Sequence, residues 1–226
     1  MQKRKVAVIR AFSVDDACDL PDGWESPTEF ALTAIICYNG KTFEVFGEQE
    51  NESKGFRFIA RDKSIKIKPL SDFKKWLDEL QEGTTLVGYG ADKFDFPLIS
   101  HTVQFNLDEL GLKTYDLMEG ISESTAKYYD SHSRRYTIQE LAAINSVQQD
   151  VISALYYLGK PLRLIAEWKG GLSGQKAVIK TLIADAVYIA RLMREIDRKE
   201  SLRIKDEETG KKVRIDFTNP LTKDSS

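Results

Sequence analysis

Two aspartates, Asp95 and Asp185, stand at positions where a carboxylate could do chemistry. Asp95 follows an apolar stretch that ends in Gly-Tyr-Gly, at the point where the next helix is expected to begin. Asp185 lies on the apolar stripe of a long helical pattern, three residues after Leu182 and four before Ile189. A carboxylate turned toward a core costs several kcal/mol unless a donor or a metal ion compensates its charge. Paired carboxylates of this kind can hold Mg²⁺ or a similar hard cation.

Each aspartate also has a purely structural interpretation. Asp95 can be the N-cap of a helix over residues 96–103, with Pro97 in its first turn. Asp185 can be a buried carboxylate that accepts a hydrogen bond from a neighbouring donor. The local sequence leaves both alternatives open.

The elements that must position these residues alternate along the chain. Strands are predicted at 5–12, 29–38, 42–46, 84–89 and 113–117, with a C-terminal hairpin of 201–204 and 213–217. Helices are predicted from residue 71, at 96–103, from a Thr137–Glu140 capping box, and at 176–198. Residues 49–69 are predicted to be an irregular excursion or short edge strands. This order predicts an α/β fold, a mixed sheet flanked by helices, as one domain over residues 1–218 with a flexible tail at 219–226.

Several separated landmarks resemble the DEDD superfamily of 3′–5′ exonucleases. Phe94–Ile99 is similar to the second motif of that superfamily, and Ile183–Ala186 on the long helix is similar to the third. Further segments resemble the exonuclease domains associated with predicted prokaryotic helicases: Tyr115–Met118, Arg135–Ala143 and Glu167–Gly170. The resemblance implies an RNase H-like fold, with a three-stranded antiparallel meander plus parallel strands, and makes Asp95 and Asp185 the candidate catalytic and metal-binding residues.

The family's other functional positions are changed in this sequence. Its chemistry uses four carboxylates that hold two divalent cations about 3.5–4 Å apart. Two of them belong on the first strand, in a pattern like Phe-Asp-x-Glu-Thr, and Ala11 and Ser13 occupy those positions here. Thr181 occupies the general-base position, which is usually Tyr. The resemblance therefore implies a remnant site with either no cofactor or a single weakly bound Mg²⁺ or Mn²⁺ ion.

The charge of the chain argues mildly against a nucleic-acid partner. The net charge is −2 and the pI is near 5.9, without the basic footprint of a typical nucleic-acid-binding domain. A local patch can still bind, and the candidate contacts to single-stranded DNA or RNA are Tyr89, Lys93, Arg134 and Arg135. For the last two, the sequence favours an ordinary exposed loop.

The sequence also bears on the setting in which the protein works. Its apolar runs are too short to span a bilayer, and the basic N-terminus lacks the core of a signal peptide. Cys18 and Cys37 show no metal-ligand spacing. We expect a reduced, cytoplasmic protein without a membrane partner, working beside a separate helicase or polymerase chain.

Three functions stay open at this point. The sequence favours a catalytically inactive exonuclease-like domain that serves as a nucleic-acid-associated binding or scaffold module. One alternative is an active Mg²⁺- or Mn²⁺-dependent 3′–5′ exonuclease with a non-standard ligand set. The other is a protein-interaction domain without a nucleic-acid role, which the acidic pI supports.

Overall fold

The computed structural model describes residues 5–47, 58–60, 63–65, 67–80, 83–104, 107–130, 132–147 and 161–217. The strands are β1 (Lys5–Ser13), β2 (Leu32–Tyr38), β3 (Phe43–Gly47), β4 (Phe58–Ala60), β5 (Lys63–Ile65), β6 (Ile67–Pro69), β7 (Thr84–Gly88), β8 (Lys113–Asp116), β9 (Ser201–Lys205) and β10 (Lys212–Asp216). The α-helices are α1 (Phe73–Asp78), α2 (Asp95–Val103), α3 (Leu117–Tyr129), α4 (Ile138–Ile144), α5 (Pro161–Lys169) and α6 (Leu172–Lys199). The tail predicted at 219–226 and residues 49–57 lie outside the described part of the chain.

Six of these strands form one mixed sheet, in the order β6-β3-β2-β1-β7-β8. The first three strands are an antiparallel meander, while β7 runs parallel to β1 and β8 runs parallel to β7. The predicted mixed sheet is confirmed, and so is the C-terminal hairpin, formed by β9 and β10. Because β7 runs parallel to β1 and pairs Val87 with Val8, β7 ends beside the middle of β1, and the loop after β7 starts next to the last residues of β1.

The central strand alternates between two hydrophobic cores. Val8 and Phe12 pack on the face of the sheet that α3, α4 and α6 cover. Ile9 and Ala11 pack on the opposite face, with α1 and α2. Successive side chains of a strand point to opposite faces, so Arg10 shares the α6 face with Val8 and Phe12.

Two helices have no clear signal in the sequence. In α3 only Leu117 and Ile121 are large buried apolar residues, and the next turn buries Ser124 and Thr125 instead. An apolar stripe of that width gives a weak helical periodicity. The other unpredicted helix is α5. Both matter for the site, since α3 begins beside the loop that carries Asp95 and α5 packs on α6.

The remaining general expectations concern thiols and membranes. Both cysteines are free thiols, with Cys18 exposed and Cys37 buried. Among the helices in the described ranges, none is long and apolar enough to cross a bilayer.

Candidate functional site

A cavity of about 390 Å³ opens where β1 and β7 end. Of the sequence-predicted residues, those that line it are Ala11, Ser13, Tyr89, Asp95, Thr181 and Asp185. Lys93, Arg134 and Arg135 are not among its lining residues. The fold therefore brings the two aspartates and the three altered positions to one place, although they lie up to 174 positions apart in the chain.

Asp95 is the first residue of α2, and it is buried. The N-cap interpretation is wrong, because the N-cap is Phe94 and Asp95 is already the first residue of the helix. Its Oδ2 atom accepts a hydrogen bond from Arg10 Nη1 at 3.2 Å, and the backbone N–H of Ala11 also donates to it. Burial raises the pKa of Asp95 to about 6, against the opposing effect of the Arg10 charge.

Asp185 reaches the cavity from α6. Its Oδ1 atom accepts a hydrogen bond of 2.6 Å from Gln139 Nε2, in the first turn of α4. That turn is fixed by the predicted capping box, in which Thr137 and Glu140 cap each other's backbone N–H groups. Burial raises the pKa of Asp185 to about 6, and the charge of Arg10 again opposes the rise.

Arg10 is the residue that the sequence reasoning missed. Its guanidinium donates to Asp95 and also to the carbonyl oxygen of Tyr89, at 2.8 Å. Burial alone would lower the pKa of Arg10, but the charges of Asp95, Asp185 and Asp116 hold it above its ordinary value. The available signal was a charged residue between Val8 and Phe12 in an otherwise apolar central strand.

Asp116 fixes the turn that carries Asp95. Its carboxylate accepts hydrogen bonds from the backbone N–H groups of Gly90 at 2.9 Å, Asp92 at 3.1 Å and Met118 at 2.9 Å. It is therefore both the N-cap of α3 and the anchor of the loop after β7. Gly90 takes a φ of +70° in that loop, a conformation that glycine adopts without strain.

The three altered positions bring no acid or base to the cavity. Ala11 packs in the core on the α2 side of the sheet. The Ser13 hydroxyl donates to Asp15 Oδ2 at 3.3 Å, and the Thr181 hydroxyl donates to the Ala177 carbonyl oxygen at 2.9 Å. Both hydroxyl groups thus make hydrogen bonds to residues close to them in the chain.

The candidate nucleic-acid contacts have mostly structural partners. The Tyr89 hydroxyl donates to the carbonyl oxygen of Tyr136. Arg134 pairs with Glu207 at 3.3 Å, so it joins the loop after α3 to the turn of the C-terminal hairpin. Lys93 pairs with Glu119, and Arg135 is exposed. Their role toward DNA or RNA stays a prediction.

An aromatic cluster stands at the mouth of the cavity. Trp24 stacks on Phe30 with ring centroids 5.2 Å apart, and both rings meet the edge or face of Phe94. The Trp24 side chain is nevertheless 53% exposed. A large aromatic ring that packs on other rings on one side and is exposed to solvent on the other is typical of a stacking surface.

Comparisons with known proteins give the fold and little else. No protein-family model and no curated protein matches the sequence. A family B DNA polymerase from the hyperthermophilic archaeon Pyrobaculum calidifontis aligns with a TM-score of 0.54 and 13% identity, over 85% of this chain and 24% of the polymerase. Exonuclease I aligns with a TM-score of 0.49 and 10% identity, over 87% of this chain and 41% of that one. The chain thus spans less than half of either protein.

The sheet topology decides the fold class. An antiparallel meander is extended by two parallel strands next to its first strand, and helices cover both faces. The chain has an RNase H-like fold. In this RNase H-like domain the cavity lies at the ends of the central strands, where open α/β sheets commonly bind their ligands.

Two divalent cations do not fit this RNase H-like site. Of the four carboxylates that the family resemblance calls for, Asp95 and Asp185 are present, and Arg10 donates to one of them. Within the described ranges, no three His, Cys, Asp or Glu side chains are grouped so that they could hold a metal ion. A guanidinium in contact with a carboxylate repels an incoming cation, so the donor set disfavours metal on two grounds.

Replacing Asp185 by asparagine is expected to stabilise the protein by about 2 kcal/mol at pH 7.5. The folded-state pKa of Asp185 is about 6, above the unfolded value near 4, so folding is penalised once the pH rises through this window. The gain is expected to vanish at pH 4, where the wild-type carboxyl is protonated in the folded state. Urea denaturation at both pH values measures it, with the exposed Asp216→Asn as control. A loss of stability at pH 7.5 would instead indicate that the folded protein stabilises the ionised form of Asp185, contrary to the raised pKa.

Proposed function

We propose that this RNase H-like chain is an exonuclease-like domain that no longer hydrolyses phosphodiesters and that binds single-stranded nucleic acid at the mouth of its cavity. The observation that carries the proposal is that β1 contributes Arg10, and no carboxylate, beside Asp95 and Asp185. Hydrolysis by two metal ions needs ligands that this strand does not supply.

The aromatic cluster supports the binding half of the proposal. Base stacking on an aromatic ring is worth about 1–3 kcal/mol per base and tolerates any sequence. Trp24 offers such a ring beside the cavity, and we expect a strand end to stack on it there. The fold shared with part of a DNA polymerase also supports a nucleic-acid setting.

The charges of the cavity limit which part of a nucleic acid can enter. Its charged lining residues are one arginine and three aspartates, Arg10, Asp15, Asp95 and Asp185. An excess of carboxylates repels phosphate when no metal ion is bound. The bases are therefore expected to make the main contacts, with the backbone remaining outside.

Two assays test the proposal together. In the first, 5′-labelled single strands of DNA and RNA are incubated with the protein and Mg²⁺ or Mn²⁺, and no shortening is expected. In the second, fluorescence anisotropy at about 50 mM salt measures binding, because phosphate contacts weaken steeply above that concentration. Trp24→Ala is expected to weaken binding by roughly tenfold, which corresponds to one lost stacking contact.

The controls separate the alternatives. Leu172→Ala removes another large apolar side chain, 50% exposed and outside the cavity lining, and is expected to leave binding unchanged. Metal-dependent shortening that Asp185→Asn abolishes would show an active exonuclease. Absence of binding to DNA and to RNA would favour a protein-interaction domain, a role that the acidic cavity also suits. A helicase or polymerase chain is the partner that we propose for either binding role.

A further inference from the structure

Strand alternation identifies the β1 residue that faces Asp185. The strand turns Val8, Arg10 and Phe12 toward α6, whereas Ala11 is packed in the core on the other face. Arg10 donates to Asp95 at 3.2 Å and lines the same cavity as Asp185, whose charge contributes to the raised pKa of Arg10. A one-residue difference on a strand changes the face of the sheet, so positions 10 and 11 are not interchangeable.

We propose that the Arg10 guanidinium is a tethered cation that takes the place of a divalent metal ion between Asp95 and Asp185. Position 10, rather than position 11, then controls whether the cavity binds metal. The inference deepens the proposed function and rests on it, because it gives the reason why the site is not hydrolytic.

Electrostatics support this assignment. Two buried carboxylates require a nearby positive charge, and a guanidinium keeps its charge at every pH at which the protein is folded. Arg10 Nη1 is bound to Asp95 and to the Tyr89 carbonyl oxygen, while Arg10 Nε is buried without an acceptor in the described part of the chain. Because one N–H group of Arg10 lacks an acceptor, hydrogen bonding alone does not explain why this arginine is buried. The negative charge of the surrounding aspartates explains it better.

Phe12 is the next residue of β1 on the α6 face, and its ring fills the space beside Arg10. The Phe12 ring contacts Trp168 of α5, with centroids 5.2 Å apart. Leu164 and Ile165, on the same helix, line the cavity. The Phe12 ring offers no oxygen ligand for a metal ion, so on this face of β1 the side chain that compensates the aspartates is Arg10.

The test compares two substitutions in the full chain, Arg10→Asp and Ala11→Asp. Mn²⁺ binding is measured by electron paramagnetic resonance, and thermal unfolding is followed with and without Mn²⁺. Arg10→Asp is expected to bind Mn²⁺ at least about tenfold more tightly than the wild type and to unfold at a higher temperature when Mn²⁺ is present. Ala11→Asp buries a carboxylate in the opposite core and is therefore expected to unfold at a lower temperature than the wild type, but to bind Mn²⁺ no more tightly and to show no rise of that temperature with Mn²⁺.

A second substitution covers the case in which Arg10→Asp fails to fold without metal. Arg10→Met removes the charge and adds no ligand for Mn²⁺, and its unfolding temperature is expected to rise with Mn²⁺ while that of the wild type does not. Tight binding by Ala11→Asp, or no Mn²⁺ response of either Arg10 variant, would overturn the proposal. Hydrolysis by the wild type would instead overturn the proposed function, so the two failures are distinguishable.

Discussion

Replacing Arg10 by methionine is expected to lower the free energy of unfolding by about 3 kcal/mol at pH 7.5, because removing one partner of a buried ion pair leaves the other charge uncompensated. The Arg10 side chain is 20% exposed and that of Asp95 is 5% exposed, so solvent screens the pair only partly. Methionine keeps much of the aliphatic stem, which limits the loss of packing.

The loss is expected to shrink markedly at pH 5. With Arg10 present the pKa values of Asp95 and Asp185 are already about 6, and without the guanidinium they rise further. Below those values both carboxyls are neutral in the folded protein and need no cation. The variant is therefore expected to lose more stability than the wild type as the pH rises from about 4 through 6 and above.

Urea denaturation followed by tryptophan fluorescence measures both effects. Arg135→Met is the matched control, since Arg135 is exposed and is not among the residues that line the cavity, and it is expected to change stability by less than about 0.5 kcal/mol. An equal loss for Arg10→Met at pH 5 and pH 7.5 would mean that the arginine acts through packing of its stem and not through its charge.

Replacing Gly174 by alanine is expected to destabilise the protein by about 2–4 kcal/mol, through overpacking between two helices. A Cβ atom at Gly174 would lie 1.8 Å from the carbonyl oxygen of Glu167, a backbone atom of α5. Alanine favours a helix over glycine by about 1 kcal/mol, which is too little to offset this clash. The helix α5 must therefore move away from α6.

The displacement also reaches the cavity, because α5 supplies Leu164 and Ile165 to its wall and Trp168 to the contact with Phe12. Thermal unfolding measures the loss, and Ser173→Ala, at the exposed neighbouring position of the same helix, is the control with an expected change under about 0.5 kcal/mol. An unchanged unfolding temperature for Gly174→Ala would show that α5 is not held against α6 at this glycine.

The fold could be predicted largely from the sequence, for identifiable reasons. The run Val6–Ile9 and the turn at Asn39-Gly40 define a buried strand and a hairpin through short-range signals. The last helix has a long apolar stripe, and its boundaries were missed by only a few residues at the N-terminal end. The strand expected at residue 29 begins at Leu32, because Pro27–Glu29 forms a 3₁₀ turn.

Only part of the candidate site could be predicted from the sequence. Asp95 stood out because it follows a strand at the start of a helix, and Asp185 because it lies on an apolar stripe; the two do line one cavity. Arg10 did not stand out, since its function depends on which face of β1 turns toward α6 and on two aspartates far away in the chain. The aromatic cluster at Trp24 is likewise assembled from separate segments, so no local pattern indicated it.

The most direct measurement is a titration of the wild-type chain with Mn²⁺ at pH 7.5, followed by the electron paramagnetic resonance signal of the free ion. If Arg10 already compensates Asp95 and Asp185, the free-ion signal is expected to equal that of buffer at every Mn²⁺ concentration up to about 1 mM. The chain then has no Mn²⁺ site with a dissociation constant below about 1 mM. Stoichiometric loss of the signal at micromolar Mn²⁺, abolished by Asp95→Asn or Asp185→Asn, would show a working metal centre and contradict the account.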